Sequence, residues 1–147
     1  MNDFFITKVR MLRSKLPGSR LNPLNLVRSL MQGRSCTFTL KPVYSEEISK
    51  LIDKMKSSKS CGSDNIDSYV LKLARDDLVP VITHLVNLSI KYKTFPNQWK
   101  LAKVVPLHKK QDVLLPQNYR PVALLPITSK ILERAIFGQV IEYFEAN

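Results

Sequence analysis

Cysteine and histidine are scarce in this sequence of 147 residues, which contains two of each. Cys36 and Cys61 stand far apart, and His84 and His108 do not follow the spacing of a zinc site. A disulfide-stapled secreted scaffold and a cysteine–histidine metal cage are therefore both disfavoured. The two cysteines are expected to be reduced thiols of an intracellular protein, and nothing in the sequence distinguishes nucleus from cytoplasm.

Long apolar runs are also missing. None approaches the roughly 18 residues that a membrane-spanning helix needs. Residues 1–12 interleave charged with apolar side chains, which is unlike a secretory signal. Hydrophobic residues nevertheless make up 44% of the chain and charged residues 24%, which is typical of a globular domain. We expect a globular rather than a disordered chain, with marginal folding when it is isolated, and no membrane partner.

Acidic residues are few, and basic residues are unevenly placed. Twelve Asp and Glu residues stand against 23 Lys and Arg residues, which gives a net charge of +11. The excess falls in two blocks, residues 1–40 and residues 91–130, each of which contains a single acidic residue. Two basic blocks on a globular chain favour a polyanionic partner, and nucleic acid is the usual one.

The N-terminal residues 1–16 have helical periodicity, and Pro17 followed by Gly18 should end the helix. We expect this helix to pack on its own domain, although a membrane-surface helix would have a similar pattern. Residues 17–44 are expected to be irregular, with a short extended stretch at 36–40.

Three more helices are expected before residue 94. Ser45 is a good N-cap for a helix whose apolar residues follow at helical spacing: Ile48, Leu51, Ile52 and Met55. Residues 61–65 form a turn in which Gly62 permits a positive φ, and Ser63 or Asp64 caps a short helix over 66–74. Pro80 suits the first turn of the next helix, which runs to about Lys93. Its inward residues are expected to be Ile82, Leu85, Val86 and Ile90.

The pattern becomes β-like at residues 102–107 and again at 120–125, and these segments are expected to pair as a hairpin. Pro106 fits an edge strand. Ser129 would then cap a last helix, whose apolar face is formed by Ile131, Leu132, Ala135, Ile136 and Val140. The predicted fold class is α+β, mainly helical with one β-hairpin.

The hairpin carries a group of residues suited to phosphates. Lys109 and Lys110 lie in its loop, and Tyr119 and Arg120 open its return strand. Lysine supplies a mobile point charge, arginine a fork that grips two phosphate oxygens, and tyrosine a ring that stacks on a base. A structural alternative is that the cations only solvate a loop and that Tyr119 fills the core.

Two stretches resemble linked motifs of non-LTR retrotransposon reverse transcriptases: FPNQWKLAKVVPLHKK at 95–110 and NYRPVALL at 118–125, with Lys130 and Glu133 completing the second. Upstream, KSCGSDNI at 59–66 is similar to a turn segment of that family, although Ser63 and Asn65 stand where the family often has Pro and Gly. The resemblance is good over 40–147 and loose over 1–39. It implies an upstream helical linker (1–39) and a truncated reverse transcriptase domain (40–147), containing the fingers and the start of the palm of a right-hand polymerase.

The resemblance also implies roles for individual residues. Arg120, followed by Lys109 or Lys110, would contact the triphosphate of the incoming nucleotide. Contacts with the template would come from Gly62, Asp64, Lys100, Lys103 and Tyr119, although a structural role is at least as plausible for Gly62 and Asp64. The implied partners are an RNA template, a DNA primer, a deoxynucleotide, and the palm and thumb that are absent from this sequence.

Nucleotidyl transfer requires divalent metals held by paired carboxylates. The palm motifs that carry these carboxylates in the family do not occur in this sequence. We therefore expect no catalytic residue, no metal ligand and no cofactor in the chain, and Mg²⁺ only in a complete enzyme. The expected function is that of a polymerase fragment that is inactive alone. The alternatives are a non-catalytic basic nucleic-acid-binding module and a non-functional remnant of a retroelement.

Overall fold

A computed structural model describes residues 2–18, 22–30 and 38–146 of the chain. Six helices and two strands follow one another in these residues. The helices are α1 (Asn2–Ser14), α2 (Pro23–Leu30), α3 (Ser45–Asp53), α4 (Ser68–Leu73), α5 (Arg75–Tyr92) and α6 (Ile127–Ala146). The strands, between α5 and α6, are β1 (Lys103–His108) and β2 (Tyr119–Leu124), and short 3-10 turns occupy Asn97–Lys100 and Pro116–Asn118.

The chain divides into two compact units, and the division passes through the hairpin. The tip unit consists of Met1–Thr37 and Leu107–Pro121, and the helical unit consists of Phe38–Pro106 and Val122–Asn147. The tip unit therefore contains the outer part of the hairpin, and the helical unit contains its base together with α3 to α6.

The tip unit departs from expectation in two ways. Residues 17–44 were expected to be irregular, but Pro23 opens α2, because proline needs no N–H at a helix start. Helix α1 forms as predicted, but it contains no buried residue, which contradicts the expectation that it packs closely on its own domain. Its apolar residues, with Gln117 of the hairpin loop, instead line an open cavity of about 300 Å³. Cys36 lies outside the described residues.

The core of the helical unit forms where α3 packs on α5 and α6. Ile48 and Ile52 of α3 are fully buried, as their spacing predicts, and so are Ile131 and Leu132 of α6. The other buried apolar residues are Val43, Met55, Leu71, Val79, Ile82, Val86 and Ile127. Leu85 was expected inside but is 40% exposed, because it lies on the outer face of α5.

The helix starts are displaced from the predicted caps. Tyr44 is the N-cap of α3, and its N–H donates to the carboxylate of Glu47, so Ser45 is already helical. Asp67 caps α4 by accepting from the N–H of Val70 at 2.8 Å, a role predicted for Ser63 or Asp64. Capping needs the residue directly before the first helical turn, and several polar residues compete for that position.

The two longest helices also begin earlier than predicted. Helix α5 starts at Arg75, which places Pro80 within the helix rather than in its first turn. Helix α6 starts at Ile127, so Ser129 lies inside it and donates to Glu133 at 3.1 Å instead of capping. Lys93 ends α5 in the left-handed conformation, with φ 52°.

Two side-chain amides hold the extended segment before α3. Asn87 of α5 accepts from the N–H of Val43 at 2.8 Å and donates to its carbonyl at 2.9 Å. Gln139 of α6 does the same for Lys41, at 2.7 and 2.9 Å. Because each amide satisfies both backbone groups of one residue, the segment is held between two helices without a partner strand.

The architecture is thus mostly helical with a two-stranded hairpin, and the predicted α+β class is confirmed. Pro106 lies in a strand with one neighbour, as predicted. A right-hand polymerase arrangement and a domain boundary at residue 39 stay predictions. Among the helices described, none is long and apolar enough to cross a membrane.

The two amide clamps differ in exposure, and this difference is testable. Asn87→Ala would leave the half-buried N–H and carbonyl of Val43 unsatisfied, so we expect a loss of about 1–3 kcal/mol in the free energy of unfolding. The clamp of Gln139 is exposed and water can replace it, so Gln139→Ala should cost less than about 1 kcal/mol. Urea denaturation followed by circular dichroism measures both, and equal losses would contradict this account.

Candidate nucleic-acid interface

The register of the hairpin is fixed at its tip. The N–H of Lys109 donates to the carbonyl of Asn118 at 2.8 Å, which pairs these two residues across the hairpin. His108 then stands opposite Tyr119, and their ring centroids are 5.1 Å apart. In the same register Arg120 stands opposite Leu107.

This register distinguishes the two loop lysines. Side chains alternate between the faces of a strand, and opposite residues share a face. Lys109 therefore shares a face with Arg120 as its diagonal neighbour, at roughly 7–8 Å between equivalent atoms. Lys110 lies in the bend that follows, outside the paired residues. The sequence left open which lysine is in register with Arg120, and the pairing favours Lys109.

The loop that carries the cations is built from its own polar groups. Asp112 accepts from the N–H of Leu114 at 2.8 Å, and the buried side chain of Asn118 donates to the carbonyl of Asp112 at 2.8 Å. The Tyr119 hydroxyl donates to the carbonyl of Val113 at 2.9 Å. The sequence analysis missed Asp112 and Asn118, although Asp and Asn near a proline are a usual signal of such turns.

The predicted phosphate ligands are exposed and free of acidic partners. Lys109, Lys110 and Arg120 make no side-chain hydrogen bond or ion pair to any residue within the described ranges. The ion pairs in those ranges join Arg75 to Asp53 at 3.0 Å and to Asp76 at 3.2 Å. Asp53, followed by Asp76, raises the pKa of that arginine above its usual value. The cations at the hairpin tip thus form no ion pair with a described residue.

Tyr119 has a structural role in the hairpin. Its ring is half-buried against His108, and its hydroxyl is used within the loop. Lys100, in the helical unit, donates to the side chain of Asn97 at 3.0 Å, and Lys103 at the start of β1 is exposed. Contact of these residues with a template stays a prediction.

Glycine is needed at position 62 because the backbone of Leu125 and Pro126 comes too close for a side chain, and not because of a positive φ. A Cβ on Gly62 would lie 2.5 Å from the backbone nitrogen of Pro126 and 2.7 Å from the carbonyl carbon of Leu125. The left-handed residue of this turn is instead Asn65, with φ 58°. Asparagine tolerates that conformation better than other side chains, so the turn forms without the glycine common at this position in the resembling family.

The same turn contacts the chain on the other side of the hairpin. Ser63 donates to the carbonyl of Leu101, just before β1, at 3.2 Å. Asp64 is exposed, and its carboxylate accepts from the N–H of Ile66 at 3.2 Å. The structure therefore groups the predicted residues as Lys109, Lys110, Tyr119 and Arg120 in the tip unit, and Gly62, Asp64, Lys100 and Lys103 in the helical unit.

Comparison with known proteins identifies the class of protein. No protein-family model matches the chain. The chain is 30% identical over 80% of its length to a probable RNA-directed DNA polymerase from transposon X-element, and 34% identical over 69% to that from transposon BS, both of Drosophila melanogaster. It is 32% identical over 69% of its length to the RNA-directed DNA polymerase from mobile element jockey of the same species.

The chain covers 13%, 11% and 11% of the length of these three relatives. All three relatives are RNA-directed DNA polymerases of mobile elements, so the chain is related to this class of protein. More narrowly, the chain belongs with the reverse transcriptases of non-LTR retrotransposons and corresponds to a segment of such a protein.

Two glycines provide a matched test of the turn. Gly62→Ala should lower the free energy of unfolding by about 1–3 kcal/mol, because the new Cβ overlaps the backbone of Pro126. Gly138→Ala, inside α6, meets nothing within 4 Å and should raise it by about 0.5–1 kcal/mol through helix propensity. Chemical denaturation measures both changes, and a neutral Gly62→Ala variant would refute the close approach.

Proposed function

We propose that this chain is the phosphate-gripping segment of an RNA-directed DNA polymerase, in which the hairpin tip contacts the phosphates of nucleic acid and of the incoming nucleotide. One observation carries the proposal. Lys109 and Lys110 in the loop, and Arg120 in the strand that follows it, stand exposed and without acidic partners among the described residues, and the loop is held by its own hydrogen bonds. The relationship to retrotransposon polymerases supplies the class of substrate.

The chemistry of the tip suits charge neutralisation. The planar guanidinium of Arg120 can donate two parallel hydrogen bonds to one phosphate, and Lys109 on the same face can neutralise the next. A preformed loop loses little conformational freedom on binding, which favours affinity. The tip would therefore orient a triphosphate or a strand without taking part in bond formation.

The metal ions of such an enzyme are held by carboxylates. The described residues contain no group of three or more His, Cys, Asp or Glu side chains that could hold a metal ion. Nucleotide-bound Mg²⁺ usually takes one or two protein carboxylates, with phosphate oxygens and waters as its other ligands. We propose for this segment contacts with phosphates and no metal ligand.

The helical unit would add contacts to the template strand. Gly62 and Asp64 lie in the turn described above, and Lys100 and Lys103 lie in and after the 3-10 turn before β1. Exposed lysines near a tight turn suit a sugar–phosphate backbone, which is recognised without regard to base sequence. A purely structural role of Gly62 is compatible with this proposal, because the lysines alone supply the charge.

Removal of the tip cations should weaken binding of single-stranded RNA in a salt-dependent way. Each phosphate contact contributes about 0.7 to the slope of log affinity against log salt for single strands. The triple variant Lys109→Ala, Lys110→Ala, Arg120→Ala should therefore lose roughly 2 from the slope shown by the unmodified 147-residue chain. Fluorescence anisotropy with a labelled oligonucleotide at several salt concentrations gives both slopes.

A triple variant of equal charge loss serves as the control. Lys41→Ala, Lys50→Ala and Lys91→Ala remove three exposed lysines of the helical unit, and should change the slope less than the tip variant does. Equal loss in both variants would mean that only net charge matters, and would contradict a specific role of the tip. Circular dichroism should show the same helical content in all three proteins.

A further inference from the structure

A second basic site lies wholly within the helical unit, where the loop after α3 meets the first turns of α6. It is a cavity of about 360 Å³. Four cations and three serines line it together with Met55 and Ile127: Lys54, Lys56, Lys130, Arg134, Ser58, Ser60 and Ser68. We refer to it as the serine–lysine cavity.

Hydrogen bonds with buried Ser68 hold the loop that carries Lys56 and Ser58. Ser68 is 5% exposed, and the single proton of its hydroxyl is shared between the carbonyls of Lys56 and Ser58, whose oxygens lie 2.9 and 3.1 Å from Oγ. The N–H of Ser58 returns a hydrogen bond to Ser68 at 2.8 Å. One buried serine thus fixes the loop that carries Lys56 and Ser58 at the cavity.

The remaining hydroxyls leave a donor for a ligand. Ser58 donates to the hydroxyl oxygen of Ser60 at 3.2 Å and accepts from the N–H of Ser60 at 3.1 Å. Within the part of the chain described, the Ser60 hydroxyl proton has no acceptor of its own. It is available to an anion in the cavity.

The positive charge of the cavity is not balanced within its walls. No acidic residue of the described ranges lines it. Lys130 is half-buried and forms no ion pair with any described residue. A neighbouring cavity differs, because there Lys50, Lys54 and Arg134 face Glu47 and Glu142. The contrast marks the serine–lysine cavity as the one of the two suited to an anion.

We propose that the serine–lysine cavity binds a phosphodiester group of a single-stranded nucleic acid. Lysine and arginine supply the charge, and serine hydroxyls hydrogen-bond to phosphate oxygens, which is the usual chemistry of backbone contacts. The cavity also brings together Ser60 and Lys130, which come from two of the three motif segments, those at 59–66 and at 118–133. The proposal deepens the nucleic-acid role proposed above, but it depends on residues other than those of the hairpin tip.

The test uses the whole 147-residue chain and a labelled single-stranded RNA. Lys56→Gln with Lys130→Gln removes the two lysines that line this cavity and not its neighbour. We expect weaker binding and a salt slope lower by about 0.7, as for one phosphate contact. Glutamine keeps most of the side-chain length, so that packing around Lys130 is preserved. Arginine at both positions should restore the slope.

The matched control is Lys50→Gln with Lys91→Gln, which removes the same charge outside the cavity. A slope equal to that of this control would overturn the proposal. The proposal would also be overturned if the cavity variant kept the RNA slope but lost binding to inorganic tripolyphosphate. The cavity would then bind free phosphate chains rather than a phosphodiester. If the salt slope falls in the cavity variant but not in the tip variant, the proposed role of the tip is refuted and this inference stands. If the slope falls in the tip variant but not in the cavity variant, only this inference is refuted.

Discussion

The close approach of Gly62 to the backbone of Pro126 is the constraint on which the helical unit depends. The distance leaves no room for a side chain, so the turn at 61–65 packs backbone against backbone on the segment that joins β2 to α6. Ser63 in the same turn is hydrogen-bonded to Leu101, where the chain enters the hairpin. The turn therefore contacts the chain both before β1 and after β2. The contact after β2 lies directly before the start of α6.

The helices and the hairpin differ in how much apolar surface they bury. The apolar core lies among α3, α4, α5 and α6, where Ile48, Ile52 and Ile131 exclude water completely. Strand β1 has no buried residue, and β2 is largely exposed as well. An isolated two-stranded hairpin is marginally stable in water, so the hydrogen bonds of its loop and the anchoring of its base are needed to keep it formed. Of the cations proposed to bind phosphate, Lys109, Lys110 and Arg120 are exposed, whereas Lys130 is half-buried in a cavity lined by two core residues, Met55 and Ile127.

Periodicity along the chain was enough to predict α3, the hairpin and the apolar face at the start of α6, because these patterns have no competing interpretation. Exact helix starts were not predictable. Tyr44 holds the cap position predicted for Ser45, and Asp67 holds the one predicted for Ser63 or Asp64. The need for glycine at position 62 was attributed to a positive φ, whereas it comes from a contact with Pro126, which is distant in sequence and leaves no local signal. The serine–lysine cavity was missed because its lysines and serines come from segments that only the folded chain brings together.

The central claim is that nucleic acid contacts the hairpin tip, and crosslinking tests it directly. A single-stranded RNA containing 4-thiouridine can be irradiated in complex with the chain, and the modified peptides identified by mass spectrometry. The account predicts adducts within residues 107–121, on the segment that carries Lys109, Lys110 and Arg120. Crosslinks confined to other parts of the chain, with none in that segment, would contradict it.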